Sequence, residues 1–263
     1  MSQIDNGGVR LHVEAEGDGA PVTVLAHGLT NSCRELAAFT PLMPGTTVRF
    51  CFRGHGHSDC PSAGYAFADF ARDLDAVARS HRATRAVGTS LGSAAIMHLL
   101  ERDPGRFERL IFLLPAALDS PFEGRERLLA MADALETMSK AKALEAAMSD
   151  PGRVSAYAKQ PWLREVDLAL WEDMNPVGVA RAIRGIVDDR PVARRESLRS
   201  VEAPTLILCR EGDRLHPAEL GRTLAELMPN AELLMFPGEV EMLGAAPALA
   251  QRAAEFLGAR PFA

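Results

Sequence analysis

A chain of 263 residues, 47% hydrophobic and 24% charged with a mean hydropathy of −0.03, suits one α/β domain with an insertion and excludes a disordered chain, a collagen-like repeat or a disulfide-stapled miniprotein. A formal charge of −6 and a pI near 5.7, with no local Lys/Arg cluster, give no electrostatic footprint for nucleic acid. The first residues lack a basic stretch followed by an apolar one, and no apolar run reaches the roughly 18 residues that span a bilayer, so no membrane partner is expected and the cytoplasm is the expected location.

Short β-branched or apolar runs alternate with longer helical stretches, the pattern of crossover units around a mostly parallel sheet. Strands are expected near Arg10 to Ala15, Val22 to Ala26, Val48 to Phe52, Arg85 to Gly88, Leu110 to Leu114, Thr205 to Cys209 and Glu232 to Phe236. Between the second and fourth of these, Phe67, Phe70, Ala71, Leu74, Val77 and Ala78 fall at three-and-four spacing, one apolar helical stripe with charges opposite.

About 80 residues without a strand signal separate Leu114 from Thr205, which requires a structured insertion. We read residues 122–198 as a helical cap between two core segments, 1–121 and 199–263. Helix formers fill Glu123 to Met148, Pro151 and Gly152 break the run, and further helical pieces surround Trp162 to Met174 and Pro176 to Val187. Trp162 and Trp171, the only tryptophans, either pack the cap's own core or line an apolar substrate pocket beneath it. A last helix near Ala248 to Leu257 closes the sheet. Cys33, Cys51, Cys60 and Cys209 form no CxxC pair and are expected to be unpaired. Only Lys140, Lys142 and Lys159 of the 29 basic residues are lysines, which hints at a GC-rich genome.

The strongest chemical signal is Gly88-Thr89-Ser90-Leu91-Gly92, a G-x-S-x-G between a strand and a helix, where a serine occupies a strained turn and the glycines allow close backbone approach. Upstream, Val22 to Ala26 runs into His27-Gly28-Leu29. Next comes Arg53-Gly54-His55-Gly56-His57-Ser58-Asp59, and downstream Thr205 to Cys209 runs into Arg210-Glu211-Gly212-Asp213, with Pro217 four residues later. In that order the four motifs resemble the α/β-hydrolase family: a mostly parallel sheet flanked by helices, with the cap inserted after the sixth strand.

The resemblance implies Ser90 as nucleophile, the N–H groups of Leu29 and Leu91 as an oxyanion hole, and Asp213 as the acid, with Asp119 a lesser candidate. His27 and Gly28 are candidate substrate contacts, while His27, His55 and His57 chiefly order loops. The implied chemistry is acyl transfer on a small, largely apolar ester, thioester or lactone, and no metal or organic cofactor is implied.

The pattern breaks after the last strand. Where the family shows P-G-x-G-H, this chain reads Pro237-Gly238-Glu239-Val240-Glu241-Met242, and no histidine follows His216. Counted from Pro237-Gly238, Glu241 takes the histidine's place; counted back from Pro247, Val240 does. Loss of that histidine would lower turnover about 10⁶-fold. Three repairs are open. His216, three residues beyond Asp213, serves as base. Alternatively Glu241, close to Asp213, shuttles protons as in an epimerase, isomerase or cyclase of a natural-product pathway. In the third, catalysis is gone and a binding protein remains. The expected partner is a small molecule, with substrate identity and oligomeric state open.

Overall fold

The computed structural model describes residues 2–122 and 124–258. Its centre is an eight-stranded sheet: β1 (Ser2–Asp5), β2 (Arg10–Gly17), β3 (Val22–Ala26), β4 (Thr46–Phe50), β5 (Arg85–Thr89), β6 (Arg109–Leu113), β7 (Thr205–Arg210) and β8 (Ala231–Phe236). The spatial order is β1-β2-β4-β3-β5-β6-β7-β8; β2 runs antiparallel to β1 and β4, and the other pairings are parallel. The layered α/β arrangement expected from the sequence is the one observed.

Alternation along buried parallel strands sends side chains to two faces. Val24, Ala86, Leu110 and Ile207 pack on one side with α1 (Phe67–Ser80), α2 (Leu91–Leu100) and α8 (Ala218–Leu227). Leu25, Val87, Ile111, Leu206 and Leu208 pack on the other with the 3₁₀-helix Ala37–Leu42 and α10 (Ala246–Gly258). The stripe read from the sequence is the buried face of α1, and the Asp69 carboxylate caps its start by accepting the Ala66 N–H at 2.9 Å.

Among the described residues, five α-helices lie between β6 and β7: α3 (Arg125–Thr137), α4 (Lys140–Met148), α5 (Pro151–Lys159), α6 (Trp162–Glu172) and α7 (Pro176–Ile186). Leu128, Ala132, Leu135, Ala143, Val179 and Ile183 give them an apolar cluster of their own. Asp150 and Asn175 cap α5 and α7, each followed by a proline at the first helical turn. The expected run from Glu123 to Met148 is two helices, because Ser139 leaves the helical backbone and caps α4; Glu123 itself lies outside the described residues. Among the elements not expected from the sequence are β1, a polar edge strand, and α9 (Glu239–Gly244), a short helix directly after β8.

Two buried clasps position the loops at the carboxyl ends of the strands. Arg53 grips the fully buried Asp73 of α1 through Nε and Nη2 at 2.8 and 2.6 Å. His55 sits between the carbonyls of Arg53 (2.8 Å) and Leu29 (2.6 Å), tying this loop to the one after β3.

Candidate active site

Ser90 sits between β5 and α2 with φ +48° and ψ −102°, a backbone conformation rare for any residue but glycine. The flanking glycines are sterically required. A Cβ at Gly92 would lie 2.1 Å from the Ala26 carbonyl oxygen, and one at Gly88 would lie 2.5 Å from the Gly92 backbone. The tight crossing thus lifts the Ser90 side chain off the sheet edge, at the amino end of α2 where the first helical N–H groups lack intrahelical partners.

Asp213 and His216 lie on the loop joining β7 to α8. The Asp213 Oδ1 accepts the backbone N–H of Leu215 (2.9 Å) and of His216 (3.1 Å), folding the loop back on the carboxylate. Its Oδ2 is 3.0 Å from His216 Nδ1 and also accepts from Arg210 Nε at 2.7 Å. The His216 Nε2 then lies 3.1 Å from Ser90 Oγ. Carboxylate, imidazole and hydroxyl form one continuous hydrogen-bonded chain. Desolvation would raise the Asp213 pKa, but the His216 hydrogen bond and the nearby Arg210 charge outweigh it and hold the carboxyl far below the usual carboxylate range. An ionised Asp213 fixes the proton on Nδ1 and leaves the Nε2 lone pair facing Ser90.

Glu241 does not join this chain. It lies exposed on α9, turned back against Gly238, with no hydrogen bond to Ser90 or Asp213 among the described residues. Val240, the other register, offers no base. The neighbour that does reach the site is Glu239, whose carboxylate is 3.1 Å from Arg210 Nη1 and 3.0 Å from Arg153 Nη1 of α5. Arg153 in turn binds Asp167 of α6 at 2.6 Å. Charges of alternating sign therefore run from Asp213 through Arg210 and Glu239 into the helices between β6 and β7.

His27 is fully buried: the Phe52 N–H donates to its Nε2 at 3.0 Å, so Nδ1 carries the proton and donates to the Gly28 carbonyl at 2.7 Å. Burial, with His55 nearby, pushes its pKa down to about 3, which keeps it neutral and structural. Trp162 is 42% exposed and Trp171 packs on the apolar cluster of α3–α7; neither borders the cavity at Ser90. Asp119 is engaged by Arg195 at 2.6 Å.

A cavity of about 160 Å³ opens at Ser90 and His216. Gly28, Leu29 and Leu91 border it from the core, and Phe122, Leu128, Met131 and Ile186 close it from the segment between β6 and β7. Sequence reasoning missed a further lining residue, Glu35. Its Oε2 accepts the Gly28 N–H at 2.7 Å and its Oε1 accepts from Asn31 Nδ2 at 2.5 Å. Desolvation pushes its pKa up to about 7 against those two hydrogen bonds. Elsewhere the four cysteines are free thiols. Among the described residues, one group has donor atoms close enough for a metal, His12, Glu14 and Cys33; its Glu14 Oε1 is hydrogen-bonded to His12 Nε2 at 3.0 Å and its Oε2 is paired with Arg49 at 2.9 Å. No helix among the described residues is long and apolar enough to cross a membrane.

The profile of the Alpha/beta hydrolase family matches residues 23–258. A curated relative, 2-(acetamidomethylene)succinate hydrolase of Mesorhizobium japonicum, is 28% identical over 257 residues, covering 90% of this chain and 86% of its own. Among solved structures, a hydrolase from Pseudomonas aeruginosa superposes with a TM-score of 0.82 at 21% identity, covering 98% of both chains. The enol-lactonase from Burkholderia xenovorans gives 0.82 at 19% identity, covering 98% of this chain and all of its own.

Proposed function

This chain belongs to the alpha/beta hydrolase family, and on that premise we propose that it is a serine hydrolase or acyltransferase of small, uncharged, largely apolar esters, thioesters or lactones. In it, His216 replaces the histidine absent after β8. The observation that carries this reading is the Ser90–His216–Asp213 chain, with 3.1 and 3.0 Å contacts.

In the proposed reaction Ser90 Oγ attacks the substrate carbonyl and its proton passes to His216 Nε2, while Asp213 stabilises the imidazolium. The oxyanion rests on the N–H groups of Leu29 and Leu91; each such donor contributes about 3 to 4 kcal/mol to the transition state. Collapse expels the leaving group, which takes the proton from Nε2 and leaves an ester on Ser90. Water, deprotonated by the same nitrogen, cleaves that ester and regenerates the serine. The segment 122–198 acts as the cap, supplying the apolar roof. A cavity of about 160 Å³ lies below the roughly 300 Å³ at which drug-sized ligand sites begin, which favours short acyl groups. The reading places the protein in the cytoplasm, acting on a small molecule with no cofactor.

Steady-state hydrolysis of p-nitrophenyl butyrate tests it. Turnover lost in both Ser90→Ala and His216→Ala, and retained in Glu241→Gln, supports the assignment. Turnover that survives His216→Ala overturns it.

A further inference from the structure

Glu35 lies outside the Ser90–His216–Asp213 chain yet borders the same cavity. Its carboxyl packs on Gly28, whose absent Cβ would lie 3.4 Å from Oε1, and each of its oxygens accepts one hydrogen bond, leaving a lone pair on each to meet a ligand. No lysine or arginine appears among the described residues lining the cavity; Glu35 and His216 are its ionisable groups apart from Ser90.

An ionised Glu35 carboxylate in a small apolar cavity selects against negative charge and for a neutral group that donates a hydrogen bond. From this juxtaposition we propose that Glu35 is the specificity-determining residue of the cavity. It admits short uncharged acyl groups, best those bearing a hydroxyl that bonds Glu35, and rejects acyl groups that end in a carboxylate. The proposal rests on the hydrolase reading and narrows it. It also separates this chain from the curated relative whose name gives a succinate as its substrate.

The test compares kcat/KM at pH 8 for the p-nitrophenyl esters of butyrate, 3-hydroxybutyrate and hemisuccinate. The wild type is expected to prefer both neutral esters over hemisuccinate by at least 30-fold, and Glu35→Gln to reduce that ratio at least tenfold. A loss of folding or of loop order would scale all three esters together, so an unchanged ratio in Glu35→Gln overturns the proposal. So does a wild type that takes hemisuccinate as readily as butyrate. Binding is read separately by calorimetry on Ser90→Ala with 3-hydroxybutyramide and succinamate. Preference for the neutral amide, lost on adding Glu35→Gln, supports the proposal even if the wild type turns over none of the esters, a result that would sink the hydrolase reading alone. Equal binding of the two amides overturns it.

Discussion

His216 Nε2 lies 3.1 Å from Ser90 Oγ although 126 residues separate them in sequence, and His216 is only three residues beyond the carboxylate that holds its other nitrogen. Imidazole and carboxylate therefore share one loop, ordered by Asp213 itself through the backbone N–H groups of Leu215 and His216. Such a compact arrangement fails as a unit when its carboxylate is altered.

Asp213→Asn should therefore cost both activity and order. We expect about a 10⁴-fold loss of kcat, from the wrong imidazole tautomer and the lost charge. Because the native pKa of Asp213 is depressed, its ionised form contributes stability above about pH 4 that is lost as pH falls. The gap in melting temperature between wild type and Asp213→Asn should be widest near neutrality and close towards pH 2.

His216→Ala should lower kcat by about 10⁴- to 10⁶-fold, while Glu241→Gln changes it less than about twofold. Parallel steady-state assays decide between the two residues.

The motifs made the sheet, the Ser90 turn and the Asp213 loop legible in the sequence, because alternation and strand-turn-helix spacing are local. His216 was legible as one of the candidate bases but not as the one that meets Ser90, since only the turn folded around Asp213 aims it there. Counting from Pro237-Gly238 led to Glu241, but helix α9 begins at Glu239 and its winding carries Glu241 outward. The Arg210–Glu239 pair joins positions 29 residues apart, and Glu35 meets the site only because its loop folds back on Gly28; neither contact leaves a periodic trace in one sequence.

Glu239→Gln should weaken the hold on Arg210 and, through it, the setting of Asp213. Both arginines it binds keep a second carboxylate, Asp213 for Arg210 and Asp167 for Arg153, so the loss should be modest, about three- to tenfold in kcat with KM little changed. A change confined to KM would tie Glu239 to holding α5 through Arg153 instead.

Gly92→Ala should destabilise by about 3 kcal/mol or more, since the new Cβ meets the backbone oxygen of Ala26 at 2.1 Å. Gly105→Ala, where the nearest atom lies 4.0 Å away, should differ from wild type by less than about 0.5 kcal/mol. Urea melts of the two variants check the contrast.

Glu35→Gln carries a pH signature in stability. The native pKa of about 7 stands above the ordinary 4.5, so the folded state binds a proton that the unfolded state releases, and wild-type stability from this group is present below pH 4.5 and lost as pH rises through 7. The variant should therefore gain on wild type by about 2 to 3 kcal/mol between pH 4.5 and 7.5. Denaturant melts across that window check the slope.

Activation of Ser90 by His216 is read out by intact-mass labelling with a fluorophosphonate probe between pH 6 and 9. Rapid single-site labelling of the wild type is expected, with none in Ser90→Ala and labelling slowed by orders of magnitude in His216→Ala. A folded wild type that does not label, or a His216→Ala protein that labels at the wild-type rate, would contradict it.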